Sequence, residues 1–475
     1  MTLIDVHTHL FNHAHLPVEA IGRRFLLYSL HTDPIVAAAG GRAFAKLVDQ
    51  IAVLNEDPSH AQLIDALIKA KTWSQVQRAL LLLTPHRRSP ALREAIELYG
   101  AQRPQGDEPA DDREKPPKPC SQDGNIERFL LLMTLQSGAM PRRLLAEYGP
   151  QRVPALIVHL MMDMDEGYRC DGAMPETALT PKQRVDELVE MGLAYKGRLA
   201  GFVPFDPRRP DALELVHYGL ARGMVGVKVY PPMGYYPADS RYSARLNALY
   251  AYCEQEGVPV VSHTSPCGFE ALPSYGLYAA PEGWRAVLKD YPKLRLCLAH
   301  AGSGDHRNYP SIQDNPAKPT EHPVHYPGWY NAAKDWDAQV YARQVLELCA
   351  DFDNVYTDLS YLTQLSEEGT KRDTLRKTMR DNLVYLFKDP RLGRVMQTRL
   401  MFGSDWHMPA AVGHAASNLK VFEDMFEHQA LSPFRDAFFG GNALRFLNLN
   451  EVRGRVQRTG DAMDEMLTYW EGLKP

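Results

Sequence analysis

The sequence predicts an α/β fold, a (β/α)8 barrel of the TIM type with a large helical insertion between its first and second strands. Three observations predict it. Eight short runs rich in apolar and β-branched residues each close on polar, Gly or Pro residues. Amphipathic stretches with apolar residues at helical spacing separate most of these runs. The 475 residues also exceed the roughly 250 that such a barrel needs, and most of the excess sits in one place.

The runs fall at 3–10, 154–162, 199–205, 225–230, 258–262, 294–298, 355–358 and 400–403. They read as continuous apolar segments, the pattern of strands covered on both faces in a parallel sheet under helices. Helical spacing is clearest at 181–195, 241–256 and 337–350. An open doubly wound sheet would usually carry a Gly-rich turn after its first strand, where this chain has His7-Thr8-His9. The barrel is assigned to residues 1–21 and 153–450, and 451–475 is left as a C-terminal tail.

Residues 22–152 form the insertion, with helical stretches at 41–54, 61–71 and 126–135. Within it, 103–124 holds five prolines and many charges but almost no large apolar residue, and is expected to be a disordered loop. A second long connection, 302–335, follows the sixth strand and is rich in His, Pro and Tyr. Loops after barrel strands build the active-site rim, so this one is a candidate cover.

Composition narrows the function classes. The formal charge of -5, from 53 basic and 58 acidic side chains, supplies no field to recruit nucleic acid or an anionic membrane. A small-molecule partner is expected. Six scattered cysteines (Cys120, Cys170, Cys253, Cys267, Cys297, Cys349) without a C-x-x-C pair argue against a disulfide scaffold or a thiolate zinc site, and read as reduced thiols of a cytoplasmic protein. No basic, apolar leader opens the chain and no long apolar run crosses a membrane.

Side chains two apart on a strand share a face, so His7 and His9 project together from the end of the first strand into the barrel mouth. That geometry suits a shared metal, although an H-x-H pair also arises by chance or as satisfied polar residues. The other strand ends add weight, because they too close on ligand-type residues: Lys228 after the fourth, His263 after the fifth, His300 after the sixth and Asp405 after the eighth.

Taken together, Asp5-Val6-His7-Thr8-His9, Val261-Ser262-His263, Ala299-His300-Ala301-Gly302 and Gly403-Ser404-Asp405-Trp406 resemble the amidohydrolase superfamily. Gly441-Asn442-Ala443-x-Arg445, followed by Phe446-Leu447, resembles its amidohydrolase 2 branch, which includes aminocarboxymuconate semialdehyde decarboxylase and related hydrolases and hydratases. The resemblance spans the barrel and leaves out the insertion and the tail. It implies one divalent metal, zinc by preference, held by His7, His9, His263 and Asp405, with His300 as acid/base. Asp405 would also take a proton from the metal's water. The Lys228-Val229-Tyr230-Pro231 pattern resembles the fourth-strand lysine that binuclear members carboxylate; in that case two ions would bind, with His263 and His300 on the second. The plainer reading of Lys228 is a substrate-anion contact or a buried ammonium paired with a carboxylate.

Remaining candidates carry ordinary alternatives. Arg307, Tyr230 and Trp406 are candidate substrate contacts, Arg307 through a bidentate carboxylate pair. Asp163, Asp165 and Asn442 read as helix caps. Asp358 can orient His300 or another ligand. His306, His322 and His325 lie in the long sixth loop, and His13 and His15 at the rim. The expected activity is metal-dependent hydrolysis of a small polar amide, lactone or ester. The rivals are a non-oxidative decarboxylase or hydratase of a small carboxylated substrate on the same ligands, and a barrel that binds without catalysis. The insertion is a candidate dimerisation or docking module, which leaves a homo-oligomer open.

Overall fold

The computed structural model describes residues 2–24, 38, 41, 42, 45, 48, 137–169, 179–266, 268–272, 275–303, 327–366, 370–406 and 415–475. Eight strands, β1 (Ile4–Thr8), β2 (Leu156–Leu160), β3 (Leu199–Phe205), β4 (Gly226–Val229), β5 (Val260–Ser262), β6 (Leu296–Leu298), β7 (Val355–Leu359) and β8 (Leu400–Phe402), pair in parallel in sequence order. All eight predicted runs are strands: β3 fills its run, β7 extends one residue past it, and the other six are trimmed by a residue or more where the chain turns out of the sheet. Closure falls at the top of β1 and β8: Asp405 N–H donates to His7 O at 2.7 Å, His9 N–H donates to Trp406 O at 2.5 Å, and Thr8 and Trp406 form a parallel bridge.

Every residue of every strand is buried, as a sheet covered on both faces requires. One close approach depends on glycine. A Cβ on Gly226 would lie 2.3 Å from the Phe202 ring, so this position must stay bare for the neighbouring strand to place its phenyl group.

The covering helices are α1 (Ala139–Tyr148), α2 (Pro181–Ala194), α3 (Ala212–Ala221), α4 (Ser243–Gln255), α5 (Trp284–Asp290), α6 (Tyr341–Asp351), α7 (Thr370–Lys388), α8 (Gly393–Thr398), α9 (Ala415–Met425), α10 (Asn442–Leu447) and α11 (Asp461–Gly472). In α2, Pro181 occupies the first turn, and Thr180 and Gln183 form a capping box that satisfies two orphan N–H groups. Helix α6 buries Tyr341, Ala342, Val345, Leu346, Leu348 and Cys349 on one stripe. Burial of each large apolar side chain stabilises the packed wall by about 1.5–3 kcal/mol.

The stretch 451–475 is not a loose appendage. Helix α11 buries Met463, Met466, Leu467 and Trp470, and the Trp470 indole donates to Gly197 O at 2.6 Å. Of the insertion, the stretches 61–71 and 126–135, the segment 103–124 and most of 41–54 lie outside the described residues, as do Arg307, His306, His322, His325, Cys120, Cys170 and Cys267. Its last part is α1, which packs on the barrel. Cys253, Cys297 and Cys349 are buried free thiols.

Of three residues read as helix caps, Asp163 does cap, its Oδ1 accepting from Asp165 N–H at 3.2 Å where the helix Asp165–Tyr168 starts, and all three also hold distant groups. Asp163 and Asp165 hold Arg209, with Asp163 Oδ2 2.6 Å from its Nε, and Asp165 also pairs with Arg184. The helix Asp165–Tyr168 begins after Met164, which makes no side-chain cap. Asn442 follows the cap position Gly441 and donates to Leu400 O at 2.7 Å, tying α10 to the base of β8. Buried arginine and carbonyl groups demand partners, and these short polar side chains are the ones within reach.

Candidate metal centre

His7 lies in β1 and His9 just beyond it, both buried. His7 Nδ1 is 3.2 Å from Asp358 Oδ2, and His9 Nδ1 donates to Leu160 O at 2.9 Å. A carboxylate and a carbonyl only accept, so both rings carry their proton on Nδ1 and present a lone pair at Nε2. Those two lone pairs converge on Asp405 Oδ1, 3.4 Å from His7 Nε2 and 3.1 Å from His9 Nε2.

Among the described residues, three acceptors therefore meet in a buried place with no donor between them. His7 Nε2 and Asp405 Oδ1 have no hydrogen-bond partner among the described residues, and the ligand atoms of His7, His9 and Asp405 lie within 4.8 Å of one another. Unpaired acceptors cost free energy when buried, and a cation is what such a set satisfies. Nitrogen and carboxylate donors of this type suit zinc or a similar divalent ion. Burial drives the His7 pKa well below the usual imidazole value, helped by Lys228, His9 and His263, which keeps the ring neutral as a ligand must be. Burial also raises the Asp405 carboxyl, against the opposing pull of His9 and Lys228.

Behind this group lies a second one. Asp358 Oδ1 accepts from the His300 backbone N–H at 3.1 Å and from the Ser360 hydroxyl, while Oδ2 faces His7 Nδ1 and the Cys297 thiol. Ser360 Oγ also lies 2.8 Å from His300 Nδ1 and 3.2 Å from His7 Nδ1. His300 Nε2 is 2.9 Å from His263 Nδ1. His263 stands outside the two groups of mutually close metal donors and borders them through His300. Burial, with the nearby His263 and His7, pushes the His300 pKa well below the usual value.

The backbone around these groups is strained. His300, Ala301, Tyr361 and Asp405 adopt φ of 64°, 46°, 61° and 55°. Left-handed conformations at non-Gly residues cost about 1–3 kcal/mol each and are held where surrounding structure demands them. Here they turn each chain sharply off β6, β7 and β8, aiming His300 and Asp405 into one cavity.

That cavity is lined by His9, Phe11, Met162, Tyr230, His263, Gly268, Phe269, His300, Tyr361 and Asp405. The Tyr230 ring lies 4.5 Å from that of His263, and its hydroxyl accepts from Phe269 N–H at 3.0 Å. Lys228 is fully buried on β4, and its Nζ has no hydrogen-bond partner among the described residues. Burial lowers its pKa to about 8, against the opposing pull of Asp358 and Asp405.

Two anchors support the mouth. Asp5 accepts from Ser404 N–H at 2.8 Å, Ser404 Oγ at 2.6 Å and Tyr148 Oη at 2.7 Å, joining β1, the β8 terminus and α1. Glu147 accepts from the Trp406 indole at 2.9 Å and from Ala415 N–H at 3.1 Å.

The fold thus gathers His7, His9, Lys228, Tyr230, His263, His300 and Asp405 at one end of the barrel. Trp406 is fully buried, turned to Glu147, and is not among the cavity's lining residues. His15 pairs with Glu187 at 2.7 Å, away from the metal donors. Sequence reasoning passed over Ser360, Tyr361, Phe11, Met162, Phe269 and Glu147. Ser360 carried a usable signal, since it stands two residues past Asp358 at the end of β7, the spacing that marks His7 and His9.

A parallel eight-stranded barrel with histidine and aspartate side chains gathered at its mouth is an arrangement that can hold a divalent cation. Residues 173–449, over half of the chain, match the Amidohydrolase family model, and the chain belongs to that family. His7 and His9 precede the matched span. No curated protein sequence matches the chain. Among solved structures, a zinc-bound amidohydrolase from Burkholderia multivorans is 16% identical, with 65% of this chain and 88% of that one covered and a TM-score of 0.42. The manganese complex of 5-carboxyvanillate decarboxylase from Novosphingobium aromaticivorans is 13% identical, with 66% and 83% covered and a TM-score of 0.39. A uronate isomerase from Bacillus halodurans is 14% identical, with 94% and 93% covered and a TM-score of 0.33. These likenesses are too low to carry chemistry across, and the family rests on the matched sequence span.

Proposed function

We propose that this chain is a metal-dependent hydrolase of a small polar amide, lactone or ester, with one divalent ion, zinc by donor type, held by His7, His9 and Asp405 and completed by His263. The observation that carries the reading is the convergence of two Nε2 lone pairs and Asp405 Oδ1 with no donor among them. An ion bound there would lower the pKa of its water to about 7. Asp405, its carboxyl raised by burial, is suited to take a proton, and His300 to move one at the cavity wall. The partner in this reading is a small molecule, because His9, His263 and Asp405 line a cavity. Among the described residues, no helix is long and apolar enough to cross a membrane.

One observation favours a second reading, a non-oxidative decarboxylase or hydratase on the same residues. Phe11, Tyr230, Phe269 and Tyr361 give the cavity aromatic walls, which suit a planar unsaturated acid better than a flexible polar one. Metal-stripped protein reloaded with zinc or manganese should be assayed on amides, lactones and esters, and for carbon dioxide release from aromatic and diene carboxylic acids. Metal-dependent hydrolysis supports the first reading. Carbon dioxide release without hydrolysis replaces it with the second, and a chain that retains no ion removes both.

A further inference from the structure

Ser360 is fully buried where the two groups of site residues meet. Its hydroxyl touches Asp358 Oδ1, His300 Nδ1 and His7 Nδ1. A serine hydroxyl has one proton to donate and two lone pairs to accept with. The contact with Asp358 joins two oxygens, and only a proton between them makes it attractive, so the hydroxyl proton points there. Both imidazoles must then be the donors in their own contacts with Ser360.

His300 is therefore protonated on Nδ1, and its Nε2 carries a lone pair. That lone pair faces His263 Nδ1 at 2.9 Å. Two lone pairs repel at this distance, so His263 donates from Nδ1 and carries its own lone pair on Nε2, the edge near Gly268 at the cavity wall. Donation runs in one direction, from His263 to His300, from His300 to Ser360 and from Ser360 to Asp358, with His7 joining at Ser360 and Asp358.

We propose that Ser360 is a positioning residue that sets the tautomers of His300, His263 and His7 through this single chain of hydrogen bonds ending on Asp358. The consequence for the site rests on the metal-dependent reading: His263 becomes ready to act as a ligand through Nε2, and resting His300 offers Nε2 as an acceptor, the base half of the acid/base role that the resemblance implies. The tautomers themselves do not depend on that reading.

Metal-free protein labelled with ring-15N histidine reports tautomers directly through long-range 1H–15N correlations, with the rings assigned from His7→Gln, His9→Gln, His263→Gln and His300→Gln variants. The expected result is Nδ1–H for His7, His263 and His300. Ser360→Ala should move His300, and His263 with it, to Nε2–H, while Ser360→Thr, which keeps the hydroxyl, should retain the original forms. An Nε2–H form of His300 in the unaltered protein overturns the proposal, as do unchanged tautomers in a folded Ser360→Ala variant. The unaltered protein decides the first point even if that variant fails to fold. Zinc affinity, read by competition with a chelating dye, should weaken about 10–100-fold in Ser360→Ala and recover in Ser360→Thr. Tautomers as assigned in a protein that binds no zinc would sink the metal reading and leave this one standing.

Discussion

Glu147 accepts the indole N–H of Trp406 at 2.9 Å, although 259 residues separate the two in sequence. The same carboxylate accepts from Ala415 N–H, so α1, at the end of the long insertion, grips both flanks of the segment after β8. Asp405 is the residue immediately before Trp406. Glu147→Ala strands two donors, and should destabilise the protein by about 1–3 kcal/mol and weaken zinc binding, with Glu147→Gln intermediate. Denaturant unfolding of the metal-free protein and a zinc titration check the two effects separately.

Elemental analysis of protein reloaded with zinc should give one ion per chain. His7→Ala, His9→Ala and Asp405→Ala should each weaken binding by roughly 100-fold or more, since each removes a converging ligand. Free zinc at one hundred times its dissociation constant should stabilise the fold by about 2.7 kcal/mol, and a chelator should reverse the gain. Two ions per chain, with an intact mass heavier by one carbon dioxide, would replace this stoichiometry with the carboxylated form of Lys228.

Lys228 carries its charge in a fully buried position without a hydrogen-bond partner among the described residues, its pKa lowered to about 8 chiefly by burial. The unfolded chain binds this proton more readily, so stability falls as pH drops from above 10 through 8, and the full penalty of about 3 kcal/mol is present at pH 7. Lys228→Met should remove it, so the metal-free variant should be more stable at neutral pH and the gain should shrink as pH rises toward 10. Unfolding curves at several pH values test this, and an unchanged or lower stability at pH 7 would refute it.

Asp5 titrates in the opposite sense. Burial raises its carboxyl to about 6, while hydrogen bonds from Ser404 and Tyr148 oppose the rise. Between the unfolded value near 4 and about 6 the folded protein binds the extra proton, so this group's contribution is fully present below pH 4 and is lost as pH rises through 6. Above that, the ionised carboxylate costs about 3 kcal/mol relative to its protonated form. The stability of the metal-free protein minus that of Asp5→Asn should therefore fall between pH 5 and 7, and a flat difference would count against the assignment.

Much of the site was readable in one dimension because barrel strands deliver their last side chains to one end. His7 and His9 share a face by the two-residue period, and His263, His300 and Asp405 follow strands whose apolar runs are plain. Trp406 shows the limit of reading by adjacency. The left-handed φ of 55° at Asp405 breaks the alternation of an extended strand, so the side chain that follows it turns away from the cavity, into the packing with Glu147. Asp163 and Asp165 show another: Asp163 does cap the helix that follows, but the distant arginines that both carboxylates also hold leave no local signal. Helix α11 was legible only as a tail because its apolar face is short and its partner, α2, lies far back in the chain.

The sequence by itself determined the strand order, the end of the barrel where the ligand-type side chains gather and the family to which the chain belongs, since these depend on local periodicity and on residue types at strand ends. Only the tertiary structure decided how those residues act. Which nitrogen of each imidazole bears the proton, why Asp405 Oδ1 is left without a donor and how Ser360 ties His300 to Asp358 are properties of side chains brought within 4 Å by a closed barrel. Burial there removes water as a competing partner, so each proton's position follows from the few neighbours that remain.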